Sequence, residues 1–168
     1  MQRILALDPA AHCGYAHTSG ERGVWHLKDG DARLVDLFRQ IITCAEFNEG
    51  IDLIAFEDAS FGSINPNTQA MHNELRGIIK FAAAQLGAKT VVYHPTTIKA
   101  FATGSGRADK EQMIRACKTR LGIETRDDNV ADACFILEMA KQGYRPPISA
   151  KKRKQNLRRA VRKQRGLF

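Results

Sequence analysis

Residues 2–28 read QRILALDPAAHCGYAHTSGERGVWHLK, and the fold is decided by how this stretch is divided. Its first seven residues, QRILALD, are a short apolar run that ends on a carboxylate, Asp8. Pro9 and Gly14 bracket a turn, and residues 14–19 and 22–28 then read as two further strands, with Ser19-Gly20 as the turn signal between them. Three short strands joined this tightly make an antiparallel meander.

Working outward, residues 32–47 change to a helical period. Leu34, Leu37, Phe38, Ile41, Ile42 and Ala45 fall at i, i+3, i+4, i+7, i+8 and i+11. Asp31 is the expected N-cap and Gly50 the expected stop. Residues 51–57, IDLIAFE, are apolar on both faces, as in the buried centre of a sheet, and this fourth strand also ends on a carboxylate, Glu57. A loop over 58–66 leads to a helix over 67–86 with Asn67 as its cap, and a fifth strand spans 89–94. Pro95 opens a short helix, Gly104-Ser105-Gly106 forms a loop, a helix runs from Asp109 to Gly122, and a last helix covers 128–142. This order of elements predicts an α/β fold. Its mixed five-stranded sheet, an antiparallel meander of three strands plus two parallel strands, has helices on both faces.

The chain of 168 residues suits one domain, expected over 1–145, followed by a basic, flexible tail over 146–168. The last 18 residues, KKRKQNLRRAVRKQRGLF, hold nine of the 26 Lys and Arg and no acid. Residues 1–150 are left with 17 basic against 18 acidic groups, so the net charge of +8 belongs to the tail. A polycation of this kind favours nucleic acid before any other partner. No run approaches the ~20 apolar residues that span a bilayer, and the N-terminus lacks the pattern of a secretory signal, so a cytoplasmic protein is expected. Cys13, Cys44, Cys117 and Cys134 form no C-x-x-C pair and read as reduced thiols. His12, His17, His26, His72 and His94 show no metal-binding spacing and read as surface or half-buried side chains.

Three acids stand in places where a carboxylate is costly. Asp8 and Glu57 end apolar strands expected to be neighbours, and Asp132 lies inside the last helix, in DDNVADACFIL. A turn residue, a strand-end ion pair and a helix-face ion pair would explain them one at a time. Together they define a cluster of like charge that needs a positive partner, Lys, Arg or Mg²⁺. Two-metal phosphodiester hydrolysis fits such a cluster, because each ion must be held from several directions with positions left open. At 100° per residue, Asp128 lies roughly 40° and Asn129 about 60° from Asp132, whereas Asp127 is about 140° away and reads as an N-cap.

The segments ILALDPAAHCGYA, LIAFEDASFG, TTIKAFATGSGRADKEQMI and DDNVADACFIL resemble, in order and spacing, the blocks of RuvC-type Holliday-junction resolvases over roughly residues 2–142. The resemblance extends to the shorter phage and viral members as well as to the cellular bacterial ones. It implies an RNase H-like fold and a homodimer that introduces paired nicks in four-way or branched DNA with Mg²⁺ or Mn²⁺, two ions per active site. It places the chain in the bacterial nucleoid, or in a host cell for a phage or viral member. Asp8, Glu57 and Asp132 match metal ligands. Lys99 and Lys110 match basic positions for phosphate contact or transition-state charge. Phe61 falls where the family has an aromatic at the junction centre, and the helix over 67–86 matches the one that packs on a partner subunit. The family's fourth ligand lies three residues before the final Asp, which here is Asn129; Asp128 is the favoured alternative on charge and on its i, i+4 geometry. Ala10 replaces the family's glycine after Asp8-Pro9, so the turn must avoid a positive φ there.

On their own terms Lys99, Arg107, Lys110, Arg115 and Lys118 would flank the site, and backbone N–H groups of the 104–106 loop would approach a phosphate. Lys151, Lys152 and Arg153 begin the basic tail that would follow the DNA backbone. The competing readings are a related nuclease acting on flaps, forks or RNA, a non-catalytic nucleic-acid-binding module, and half of an actin-like ATP-binding fold.

Overall fold

The computed structural model describes residues 2–58 and 65–145. The expected roles of Phe61, Lys151, Lys152 and Arg153, and the expected tail, lie outside the described residues. The elements are β1 (Ile4–Asp8), β2 (His12–His17), β3 (Arg22–His26), α1 (Ala32–Phe47), β4 (Leu53–Glu57), α2 (Pro66–Gln85), β5 (Lys89–Tyr93), α3 (Pro95–Thr103), α4 (Lys110–Leu121) and α5 (Asp128–Lys141). The sheet order is β3-β2-β1-β4-β5. β1, β2 and β3 pair antiparallel, while β4 runs parallel to both β1 and β5. This is the expected meander with two parallel strands.

Side chains alternate across the sheet with a period of two and divide the core in half. Leu5, Leu7, Ile54 and Phe56 pack with α1 and α2 through Leu37, Ile41, Leu75 and Ile79. Ile4, Ala6 and Ala55 pack with α3, α4 and α5 through Ile98, Met113 and Phe135. α5 buries Val130, Ala131, Ala133, Cys134, Phe135, Ile136 and Leu137 in succession, so it is apolar nearly all round and is held between the sheet and two other helices. All four cysteines are free and buried.

Helix ends follow local chemistry. Asp109 caps α4 in a reciprocal box with Gln112, and Gly122 closes it in the left-handed conformation. Asp127 caps α5 by accepting from the Asn129 N–H, as its angle on the helical wheel required. Two expected caps are corrected. Asn65, not Asn67, caps α2, because Pro66 occupies the first helical position and the Asn65 side chain accepts from the Asn67 N–H. Asp31 already has helical backbone angles and makes no side-chain cap bond. Gly50 does not end α1 directly; Asn48 does, and Glu49 takes the left-handed conformation first, at φ 58°. Ala10 carries no positive φ, so the turn accepts alanine there.

Gly14 is also corrected. It is a ladder residue of β2, opposite Asp8 on one side and Val24 on the other, and the turn is confined to residues 9–11. A Cβ at Gly14 would lie 2.1 Å from the Asn129 carbonyl oxygen. The glycine is required because the first turn of α5 lies directly on it.

Candidate active site

The two-residue period places the acids. Asp8 follows Ile4 and Ala6, and Glu57 follows Leu53 and Ala55, so both face α5. Leu7 pairs with Phe56 in parallel register, and one residue further Asp8 and Glu57 end adjacent strands about 4.8 Å apart. Asp132 comes down on them from the second turn of α5, held at that height by the contact between Asn129 and Gly14. Asp58 has the opposite parity. It turns to the α2 side and meets Arg76, with Nη1 to Oδ2 at 2.8 Å. Consecutive acids thus go to opposite faces, one to the cluster and one to an ion pair that ties β4 to α2. His72 of α2 also contacts the Pro9 carbonyl oxygen at 3.0 Å, bracing the turn after Asp8.

The electrostatics are those of a crowded acidic centre. Burial, then the charges of Glu57, Asp132 and Asp128, push the Asp8 carboxyl well above its ordinary range. Part of its side chain still reaches solvent, so the acid lies deep but not sealed. Burial raises Glu57 to about 7, with Asp132 adding to the rise and Lys99 opposing it. Burial raises Asp132 to about 6, with Lys99 and Lys110 opposing and Asp128 adding. Oδ1 of Asp132 is buried with no hydrogen-bond partner. Among the described residues no three such side chains close about one point as they would around a bound ion. A set of hard carboxylate oxygens, mutually repelling and with one buried oxygen unpartnered, suits Mg²⁺ or Mn²⁺.

The predicted cations divide. Lys99 of α3 lies close enough to lower both Glu57 and Asp132, so it belongs to the centre. Lys110, exposed at the start of α4, pairs with Asp128 at 2.9 Å and also opposes the rise of Asp132. Lys118 stands two turns further along α4, paired with Glu124 at 2.7 Å, away from the acids. Arg107 is exposed in the turn before α4. Two of the three amides of the 104–106 loop, expected to approach a phosphate, are engaged locally. The Gly104 N–H donates to the Ala100 oxygen and the Ser105 N–H to Thr103 Oγ1, while Gly106 is small because the Thr96 carbonyl lies 3.0 Å from where its Cβ would be. Sequence reading also passed over the structural part of Gly14 and the Asp58–Arg76 pair; strand parity carried the signal for the second, and none was available for the first.

The raised carboxyls predict a pH-dependent stability. A carboxyl whose pKa is higher in the fold than in the unfolded chain favours the protonated form, so its ionisation opposes folding. For Asp132 the cost builds between 3.8 and about 6, and for Glu57 between 4.5 and about 7. The Glu57→Gln/Asp132→Asn double variant should therefore gain stability over metal-free wild type as pH rises from about 5 to 8. Chelator-treated samples in thermal denaturation provide the measurement, and a gap that stays constant or shrinks would refute it.

Carboxylates from β1, β4 and α5 thus meet at one end of a mixed α/β sheet of order β3-β2-β1-β4-β5. The family model for crossover junction endodeoxyribonuclease RuvC matches residues 22–138. A RuvC of Chloroflexus aggregans is 33% identical over 148 residues, covering 80% of this chain and 89% of that protein. Its counterpart in Rhodopirellula baltica is 36% identical over 147 residues, covering 79% and 82%. The fold resembles the Thermus thermophilus RuvC solved in complex with a Holliday junction substrate, with a TM-score of 0.68 and 19% identity over 85% of this chain and 97% of that one. The chain belongs to the RuvC family of crossover junction endodeoxyribonucleases, which are hydrolytic enzymes. Among the described residues, no helix is long and apolar enough to cross a membrane.

Proposed function

We propose that this protein resolves four-way DNA junctions by metal-dependent phosphodiester hydrolysis, acting as a homodimer that makes paired symmetric nicks. The observation that carries the reading is the convergence of Asp8, Glu57 and Asp132 from three elements onto one face at one end of the sheet. Asp8, Glu57, Asp132 and Asp128 would hold two Mg²⁺ or Mn²⁺ ions, which when bound supply an activated water and stabilise the leaving oxygen. The protein's own residues do the rest. Burial and mutual repulsion leave the acids in need of positive charge that Lys99 and Lys110 supply only in part. Lys99 offsets part of that repulsion from within the centre. Lys110 sits at the exposed rim, where its ammonium can exchange Asp128 for a phosphate oxygen. Lys118, Arg107 and the basic tail contribute backbone affinity without sequence information.

Asp128 is the favoured fourth ligand because it carries a charge that acts on both Asp8 and Asp132, whereas Asn129 offers only a neutral amide. Asp128→Asn is expected to lower nicking by roughly ten- to a hundredfold, and Asn129→Ala to change it by less than about threefold. The opposite order in single-turnover assays would assign the place to Asn129. The function itself is tested with synthetic four-way, flap and duplex DNA in Mg²⁺. Paired nicks on the four-way junction alone support resolution; equal cutting of all three makes the protein a general branched-DNA nuclease, and junction binding without cutting makes it a binding module.

A further inference from the structure

We propose that His12 and His26 form a second metal site, for a borderline divalent ion such as Zn²⁺, Ni²⁺ or Cu²⁺, separate from the carboxylate centre. The two residues are partners across the β2–β3 ladder, which brings together imidazoles that no sequence spacing connects. Their Nδ1 atoms share a hydrogen bond at 3.0 Å, with ring centroids at 5.0 Å and ring planes at 73°, and a bound ion would take the place of the shared proton. Two imidazole nitrogens bound to one ion at ~2.0–2.1 Å lie about 2.9 Å apart at a right angle and about 3.4 Å apart in a tetrahedron. The observed separation falls within that range with no movement of the backbone. The ladder is also fixed just beyond the pair, where the Leu27 N–H donates to the Ala11 oxygen at 3.0 Å.

Ligand chemistry separates this site from the acidic one. Imidazole suits Zn, Ni and Cu, whereas carboxylates and water suit Mg and Mn. The other three histidines each have a different partner: His17 meets Ser19, His72 meets the Pro9 oxygen and His94 meets Thr96. No third His, Cys, Asp or Glu joins the pair among the described residues, so the protein supplies two ligands and leaves the remaining positions to water or substrate oxygen. Both histidines are exposed. His12 shares the α5 face with Gly14 and Ala16, and His26 shares it with Val24. Gly14 lies opposite Asp8, so the pair stands one pleat beyond the acidic centre, at its solvent rim.

The test is calorimetric titration of Zn²⁺ into tag-free, Mg²⁺-saturated protein. Wild type and the Asp8→Asn/Asp132→Asn variant are expected to bind one Zn²⁺ with equal affinity. His12→Gln and His26→Gln should each weaken that binding at least tenfold, with unchanged circular dichroism. Electron paramagnetic resonance of bound Cu²⁺ should show two nitrogen ligands in wild type and lose that pattern in either histidine variant. Zn²⁺ affinity that survives both histidine substitutions, or that disappears in the carboxylate variant, overturns the proposal. Because the readout is Zn²⁺ binding and not cleavage, this outcome is independent of the nuclease reading.

Discussion

Asp132→Asn is expected to abolish nicking of a four-way junction, lowering the rate by about a thousandfold or more, while junction binding is retained. A divalent ion at such a centre supplies several kcal/mol of transition-state stabilisation, and about 4 kcal/mol corresponds to roughly three powers of ten in rate. The substitution keeps the side-chain shape and removes the charge that the ion needs. It also removes a carboxylate that burial holds up at about 6, against an ordinary 3.8. Above about pH 7 the metal-free variant should therefore be the more stable protein, by about 2–3 kcal/mol if the whole shift is realised. Rate and stability must move in opposite directions. A variant that lost both would point to a purely structural Asp132, and one that kept its activity would remove the acid from the mechanism.

Gly14→Ala is the second large effect, and it involves a residue that never meets substrate. An added Cβ would lie 2.1 Å from the Asn129 carbonyl oxygen, and the obstacle is helix backbone, not the end of a flexible side chain. To restore ordinary contact α5 must retreat by more than 1 Å, carrying Asp128 and Asp132 away from Asp8 and Glu57. Overpacking of this kind costs about 1–3 kcal/mol. Displacing reactive groups by about 1 Å can cost on the order of a hundredfold in rate. Thermal denaturation and nicking assays on the same sample separate the two effects, and a folded Gly14→Ala protein within threefold of wild-type activity would show that α5 does not set the geometry.

The sheet and the acids were readable because both depend on short-range pattern. The apolar strands over residues 4–8 and 53–57 end on carboxylates, and the caps at Asp109 and Asp127 are local chemistry. What escaped depends on contacts between elements distant in sequence. Gly14 looked like the end of a turn opened by Pro9; its actual constraint comes from a helix that begins 114 residues later. The 104–106 loop looked like a phosphate cradle because glycines permit one, but the Gly104 and Ser105 amides are engaged locally. The histidines at 12 and 26 looked unrelated until the register of β2 and β3 was known.

Glu57, the last residue of β4, and Asp58, the next, are chemically near-twins whose tasks follow from odd and even position in the chain. A one-residue deletion within β4 would bring Asp58 to the acidic centre, with one methylene less reach, and push Glu57 back into the slot of buried Phe56. A one-residue insertion would instead hand Glu57 the arginine on α2 and leave the acidic centre without its β4 carboxylate. The strand thus behaves as a reading frame in three dimensions. Substitutions along β4 alter packing by degrees, but a single frameshift of the pleat rewires the active site and the helix anchor at once. Length changes in this family should accordingly collect in the loops on either side of β4 and avoid the five residues between.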